Sequence, residues 1–175
     1  IDLEIGCTVG APPADARVAY DHAYEGACQR FDALRERGCE VVTSSALFNA
    51  WVARSVSDLL MLSTETEHGD YPHAGVPWFD ALFGRDGIIC AREALWYNPS
   101  IARGVLRCLA ATQARESSDS QDADPGKIVH EMRDGEMAAL REVPFGRYYG
   151  SIDATPLFVM LARDYQRRSG DRDTL

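Results

Sequence analysis

The chain has 175 residues, 46% hydrophobic and 26% charged, a balance that suits one folded unit with its own core. Its formal net charge of −9 argues against nucleic acid or any other polyanionic partner, because phosphate binding depends on clustered Lys and Arg. The cysteines Cys7, Cys28, Cys39, Cys90 and Cys108 are scattered and never form a CxxC pair, so neither a disulfide framework nor a metal site is expected, and a reducing, cytoplasmic setting fits best. No apolar run approaches the roughly 20 residues of a membrane span, and the basic-then-apolar order of a signal peptide is missing, so no membrane partner is expected. A start at Ile1 and an end at Leu175, just past a helix end, suggest a piece of a longer polypeptide.

Ile1 to Val9 alternates apolar and polar residues, the period of a half-buried strand, and Gly10-Ala11-Pro12-Pro13 ends it. Asp15 to Arg37 is polar with sparse apolar positions (Val18, Phe31, Leu34), which suits an exposed connecting helix stopped at Gly38. From Thr43, with Thr43 or Ser44 as N-cap, the residues Leu47, Phe48, Trp51, Val52, Val56, Leu59, Leu60 and Leu62 recur at spacings of three and four. That stripe is wide enough for a buried helix.

Glu65 to Phe83 then reads as a long loop rich in His, Gly, Pro and aromatics, and such loops are usually functional or disordered. Asp86 to Trp96 is a second helix; Asn98 as N-cap with Pro99 at the first helical position opens a third, Ile101 to about Gln113, packed antiparallel to it. Arg115 to Gly126 is polar and turn-rich, and a fourth helix, Asp153 to Ser169, buries Leu157, Phe158, Leu161 and Tyr165 before Gly170 ends it. The result is a set of helical hairpins with long loops gathered at one end.

Three segments place charged or aromatic residues at loop-to-helix junctions. In Val76-Pro77-Trp78-Phe79 leading to Phe83-Gly84-Arg85-Asp86, rings beside an Arg-Asp pair suit a sugar, whose faces stack on aromatics while its hydroxyls take charged hydrogen bonds. The alternative is a hydrophobic plug with Asp86 as a first-turn acid. Gly126-Lys127-Ile128-Val129-His130-Glu131-Met132-Arg133, with Gly135-Glu136, starts like a zinc-protease HExxH run but has no second His one turn later. Its charges otherwise read as a solvated face. In Tyr149-Gly150-Ser151-Ile152-Asp153-Ala154-Thr155-Pro156-Leu157-Phe158, either Ser151 or Asp153 caps the fourth helix, or Asp153 is a catalytic acid at its mouth.

Taken in order, these three phrases resemble the successive signatures of bacterial amylo-α-1,6-glucosidase-type glycogen-debranching proteins, over about Val42 to Asp171. The resemblance implies a mainly α chain, part of an (α/α)6 barrel of the six-hairpin glycosidases, preceded by the terminal β-strand of an N-terminal β-rich domain. Residues 1–38 would be the end of that β-domain plus a connecting helix, and 39–175 the first hairpins of an incomplete barrel.

The implied activity is inverting hydrolysis of α-glucosidic bonds, α-1,6 branch points of glycogen-like glucans above all, with no cofactor. By position, Asp153 matches the general acid, and Arg85 and Asp86 match a pair that grips hydroxyls of the terminal glucose. Trp78, Phe79 and Phe83 would line the pocket, with His130, Glu131 and Arg133 as its polar walls. Inversion needs a second carboxylate, roughly 6.5–9.5 Å away, to activate water. In this family it comes from a late hairpin, so the chain alone would hold the acid half of a site, be inactive, and tend to self-associate through uncovered helix faces. The acid must also stay protonated near neutrality, which calls for burial or a neighbouring negative charge, whereas capping would oppose it. Other readings are a six-hairpin glucosidase for another small α-glucoside such as glucosylglycerate, a noncatalytic carbohydrate-binding helical domain, and a structural helical repeat.

Overall fold

The computed structural model describes residues 19–140, 142–143 and 146–174, and the strand expected at 1–9 lies outside them. The described chain is mainly helical with two small sheets. Helix α1 (Tyr20–Glu36) is exposed along its length apart from the half-buried Arg30 and Phe31 and the buried Leu34, as a polar connecting helix should be. Helix α2 (Ala46–Met61) begins at Ser45, whose hydroxyl accepts from the Phe48 N–H at 3.3 Å, while Thr43 ties to Asn49. The cap therefore falls later than Thr43 or Ser44.

The apolar stripe of α2 is not buried as its spacing led us to expect: Leu60 alone is buried, Leu47 is 83% exposed and Trp51 64%. A period of 3.6 marks one face as apolar but does not say what meets it.

The long loop expected at Glu65–Phe83 contains a hairpin, β1 (Ser63–Thr66) paired antiparallel with β2 (Gly69–Pro72), and then β3 (Leu82–Phe83). Thr66 Oγ1 closes the hairpin by donating to the Gly69 carbonyl at 2.7 Å, with Gly69 at φ +118°. Helix α3 (Gly84–Glu93) follows β3 directly, and α4 (Pro99–Ala111) starts where expected, with Asn98 accepting from the Ser100 N–H at 3.0 Å. A single 3-10 turn (Asp119–Gln121) and the short strand β4 (Glu131–Met132) precede a one-turn helix α5 (Glu136–Ala139) and α6 (Ala154–Ser169). Gly170, at φ +72°, ends α6 as expected.

The core lies where α3, α4, α6 and β2 meet, around Tyr71, Ile88, Val105, Leu106, Leu109, Ile128, Val129 and Leu161. Leu157 and Phe158 pack on it partly buried. The hairpin is held to α4 at backbone contact: a methyl at Gly104 would stand 2.4 Å from the Asp70 carbonyl oxygen. Arg30 and Arg37 of the α1 region close on the Asp70 carboxylate from the other side, at 3.3 and 3.0 Å.

Gly104→Ala is therefore expected to lower stability by about 1–3 kcal/mol through overpacking, in spite of the ~1 kcal/mol that alanine adds to a helix. Urea unfolding checks this, and a variant as stable as the parent would show that the hairpin can slide off α4.

Candidate functional site

The three segments meet. β3 pairs antiparallel with β4, setting Leu82 opposite Met132 and Phe83 opposite Glu131, so the first and second phrases share a ladder. Tyr148 extends that ladder, with its carbonyl accepting from the His130 N–H at 2.8 Å and its N–H donating to the Glu131 carbonyl at 3.0 Å. The third phrase is stitched to the second again where Ile128 N–H donates to Thr155 Oγ1 at 3.0 Å.

Gly84 lets this happen. A methyl there would sit 1.9 Å from the Val129 carbonyl oxygen and 3.7 Å from Ala154 Cβ, so the mouths of α3 and α6 and the strand approach as bare backbone.

Across that junction Arg85 Nη1 donates to Asp153 Oδ2 at 3.3 Å, joining residues 68 apart in sequence, and Arg85 Nε lies 4.0 Å from Asp86 Oδ2. One guanidinium thus stands between two carboxylates. Asp153 occupies the N-cap position of α6, yet its side chain makes no capping bond. Ser151 caps instead: its hydroxyl oxygen accepts from the Ala154 N–H at 3.3 Å and donates to Asp153 Oδ1. Pro156, in the first turn, has no N–H to offer a cap. Of the two capping candidates, Ser151 makes the bond and Asp153 does not.

The Ser151 hydroxyl and then Arg85 hold the Asp153 carboxyl below the usual carboxylate range, against an opposing effect of burial. This runs counter to the expectation of a carboxyl kept protonated near neutrality, because the nearest charge is a cation rather than another carboxylate.

The β3–β4 ladder carries a second cluster. Glu131 and Arg133, two apart on a strand path, point the same way, and Arg133 Nε donates to the nearly buried Glu131 carboxylate at 2.5 Å. Arg133 Nη2 also reaches the Trp78 carbonyl at 3.2 Å, and its guanidinium lies 5.9 Å from the Phe83 ring centre. Edge-on contacts of about 6 Å run from Phe79 to Phe83, to His130 and to Tyr148. His130 Nδ1 is buried without a hydrogen-bond partner among the described residues. The solvated-face reading of this phrase's charges is overturned for Glu131, which is buried, and holds for Asp134 and Glu136, which are exposed.

Of the residues expected to line a pocket, Trp78 and Phe79 present rings to solvent, at 77% and 56% exposure. Phe83 is buried and forms a floor beneath Arg133 rather than an open stacking face. A cleft of about 840 Å³ opens beside Arg133, with His73, Asp80, Glu136 and Met137 among its walls; Arg85 and Asp153 lie outside it. Another, of about 760 Å³, lies between α1 and α2 and includes none of the three segments. Tyr148, Gly84 and the His73–Asp80 pair, 2.9 Å apart, were not singled out from sequence. A chemistry-bearing side chain carries a signal there, but a glycine in contact with a distant carbonyl carries none. Among the described residues no helix is long and apolar enough to cross a membrane, and no three of His, Cys, Asp and Glu are grouped to hold a metal ion.

Comparison of the chain with protein-family models and with curated proteins finds no match.

Glu131 depends on Arg133 for its compensation, since a carboxylate left nearly buried and unpaired costs about 3–5 kcal/mol. Arg133→Met is expected to lose much of that in urea unfolding, and Glu131→Gln in the same chain to restore most of it. Additive losses in the two single variants and the double would mean that the pair does not act as a unit.

Proposed function

We propose that the chain carries the acid side of an inverting α-glucosidase site of the amylo-α-1,6-glucosidase type, within an (α/α)6 barrel whose first hairpins it supplies. The observation that carries the reading is the Arg85–Asp153 contact, 3.3 Å across the junction of α3 and α6, with Asp153 released from capping its own helix. The support is twofold. The phrases that resemble the family's signatures fold onto one another, and the two residues matched to acid and sugar grip touch.

In this reading Asp153 gives a proton to the glycosidic oxygen as the bond breaks, while a base from a later hairpin activates water on the opposite face of the sugar. The Asp153 carboxyl, depressed by Ser151 and Arg85, takes up that proton when a bound sugar draws Arg85 onto its hydroxyls and excludes water. Arg85 and Asp86 hold hydroxyls of the terminal glucose, and Trp78 and Phe79 offer ring faces. A glucan with α-1,6 branches is the proposed substrate. The depressed carboxyl also favours a second reading, a noncatalytic carbohydrate-binding domain in which Asp153 remains a fixed anion.

In the full-length protein, Asp153→Asn is expected to cut glucose release from an α-1,6-branched limit dextrin by about 10²–10⁴-fold, the usual share of a general acid, with sugar affinity little changed. Turnover that survives the substitution removes Asp153 from the acid role, and lost binding with no turnover to lose favours the second reading. Arg85→Ala is expected to weaken binding of a small α-glucoside about tenfold or more in calorimetry, the loss of a charged hydrogen bond. An unaltered affinity counts against the grip.

A further inference from the structure

Ser151 stands two residues before Asp153, and its hydroxyl is used twice: the oxygen takes the Ala154 N–H at 3.3 Å and the hydrogen goes to Asp153 Oδ1. The first turn of α6 has few amides for an acid to fold back on. Ala154 N–H is taken by Ser151, Pro156 has none, and the Leu157 N–H is bonded to the Asp153 backbone carbonyl at 3.0 Å. What remains is the Thr155 N–H, one of the donors that an N-cap Asp side chain ordinarily takes. The opposite carboxylate oxygen, Oδ2, is the one that meets Arg85.

We propose that Ser151 is a positioning residue for Asp153: by filling the Ala154 amide and one carboxylate oxygen together, its hydroxyl holds that oxygen and leaves the other turned to Arg85, where a glycosidic bond would be protonated. The inference rests on the reading of Asp153 as the acid. In the reaction the proton leaves Oδ2 for the leaving oxygen, the electron pair of the broken C–O bond stays with that oxygen, and negative charge returns to the carboxylate. The Ser151 O–H already points at Oδ1 when that charge develops, so no reorientation is required of it. The charged and titratable groups next to this junction are Arg85 and Asp86 at the start of α3, Tyr148 just upstream, and His130 and Glu131 on the strand that Tyr148 bridges; Arg92 and Asp164 pair with each other further along α3 and α6.

The test is a carbon-detected titration of the Asp153 side chain in the 175-residue chain, with Ser151→Ala and Ser151→Thr beside the parent. Losing the hydroxyl donor disfavours the carboxylate, so Ser151→Ala is expected to move the midpoint up by about half a unit or more, and Ser151→Thr to leave it in place. A helix cap and nothing more would lower the melting temperature of Ser151→Ala without moving the midpoint, and that result overturns the proposal. Ser151→Cys, of similar size but a weak donor, gives the same reading if the alanine variant does not fold.

In the full-length protein a general acid works while protonated, so the alkaline limb of kcat/KM against pH should rise with the midpoint in Ser151→Ala and return in Ser151→Thr. A midpoint that moves under an unmoved limb also overturns the positioning role. Failure of the Asp153 assignment looks different: Asp153→Asn keeps its turnover, whatever Ser151 does to the titration.

Discussion

The structure depends on one close approach, the backbone of Gly84 against the Val129 carbonyl and the Ala154 methyl. At this point β3 becomes α3, the strand path through β4 passes overhead, and α6 begins. The hydrogen bonds around it are backbone-anchored: Gly84 N–H to the His130 carbonyl at 2.9 Å, Tyr71 hydroxyl to the Phe83 carbonyl at 2.9 Å, Ile128 N–H to Thr155 Oγ1 at 3.0 Å. Arg85 follows Gly84 in the chain and Asp153 precedes Ala154. The backbones that carry this ion pair are thus held by the same close approach.

Much of the helical scaffold was legible because its signals are local. Asn98-Pro99 states a helix start by chemistry, an acceptor for an orphan amide followed by a residue that lacks one, and Gly170 states an end by its tolerance of positive φ. The convergence of three phrases was legible only as a resemblance. Nothing in their spacing says that Phe83 lies opposite Glu131, because a two-residue ladder has no period to read. The residue that caps α6 was open between Ser151 and Asp153; Ser151 takes the Ala154 amide, and the Asp153 carboxylate meets Arg85, 68 positions away.

The failures have physical causes of their own. The β1–β2 hairpin mixes Thr64, Thr66 and Tyr71, which favour strands, with Ser, Glu, Gly, Asp and Pro, which do not, in too short a run to show a period, and Tyr71 and Pro72 bury themselves while Gly104 admits the Asp70 backbone. Tertiary contact adds what so short a polar run does not show. In α2 the error runs the other way: Leu47, Phe48 and Trp51 have the spacing of a core-facing helix and stand exposed, since amphipathic period records a face and burial records a neighbour.

The charges of the junction are paired ones. Arg85 is met by Asp153 and Asp86, Arg133 by Glu131, and Arg92 by Asp164 at 2.9 Å between α3 and α6. Each guanidinium already faces a carboxylate, in a chain whose formal charge is −9, so the site has no surplus positive field with which to recruit a phosphate. A neutral, hydroxyl-rich molecule needs none. Its hydroxyls both donate and accept, so they can enter between a guanidinium and a carboxylate and bond to both while the pair keeps its compensation. The Arg85–Asp153 pair, two-fifths exposed, is open to an exchange of that kind.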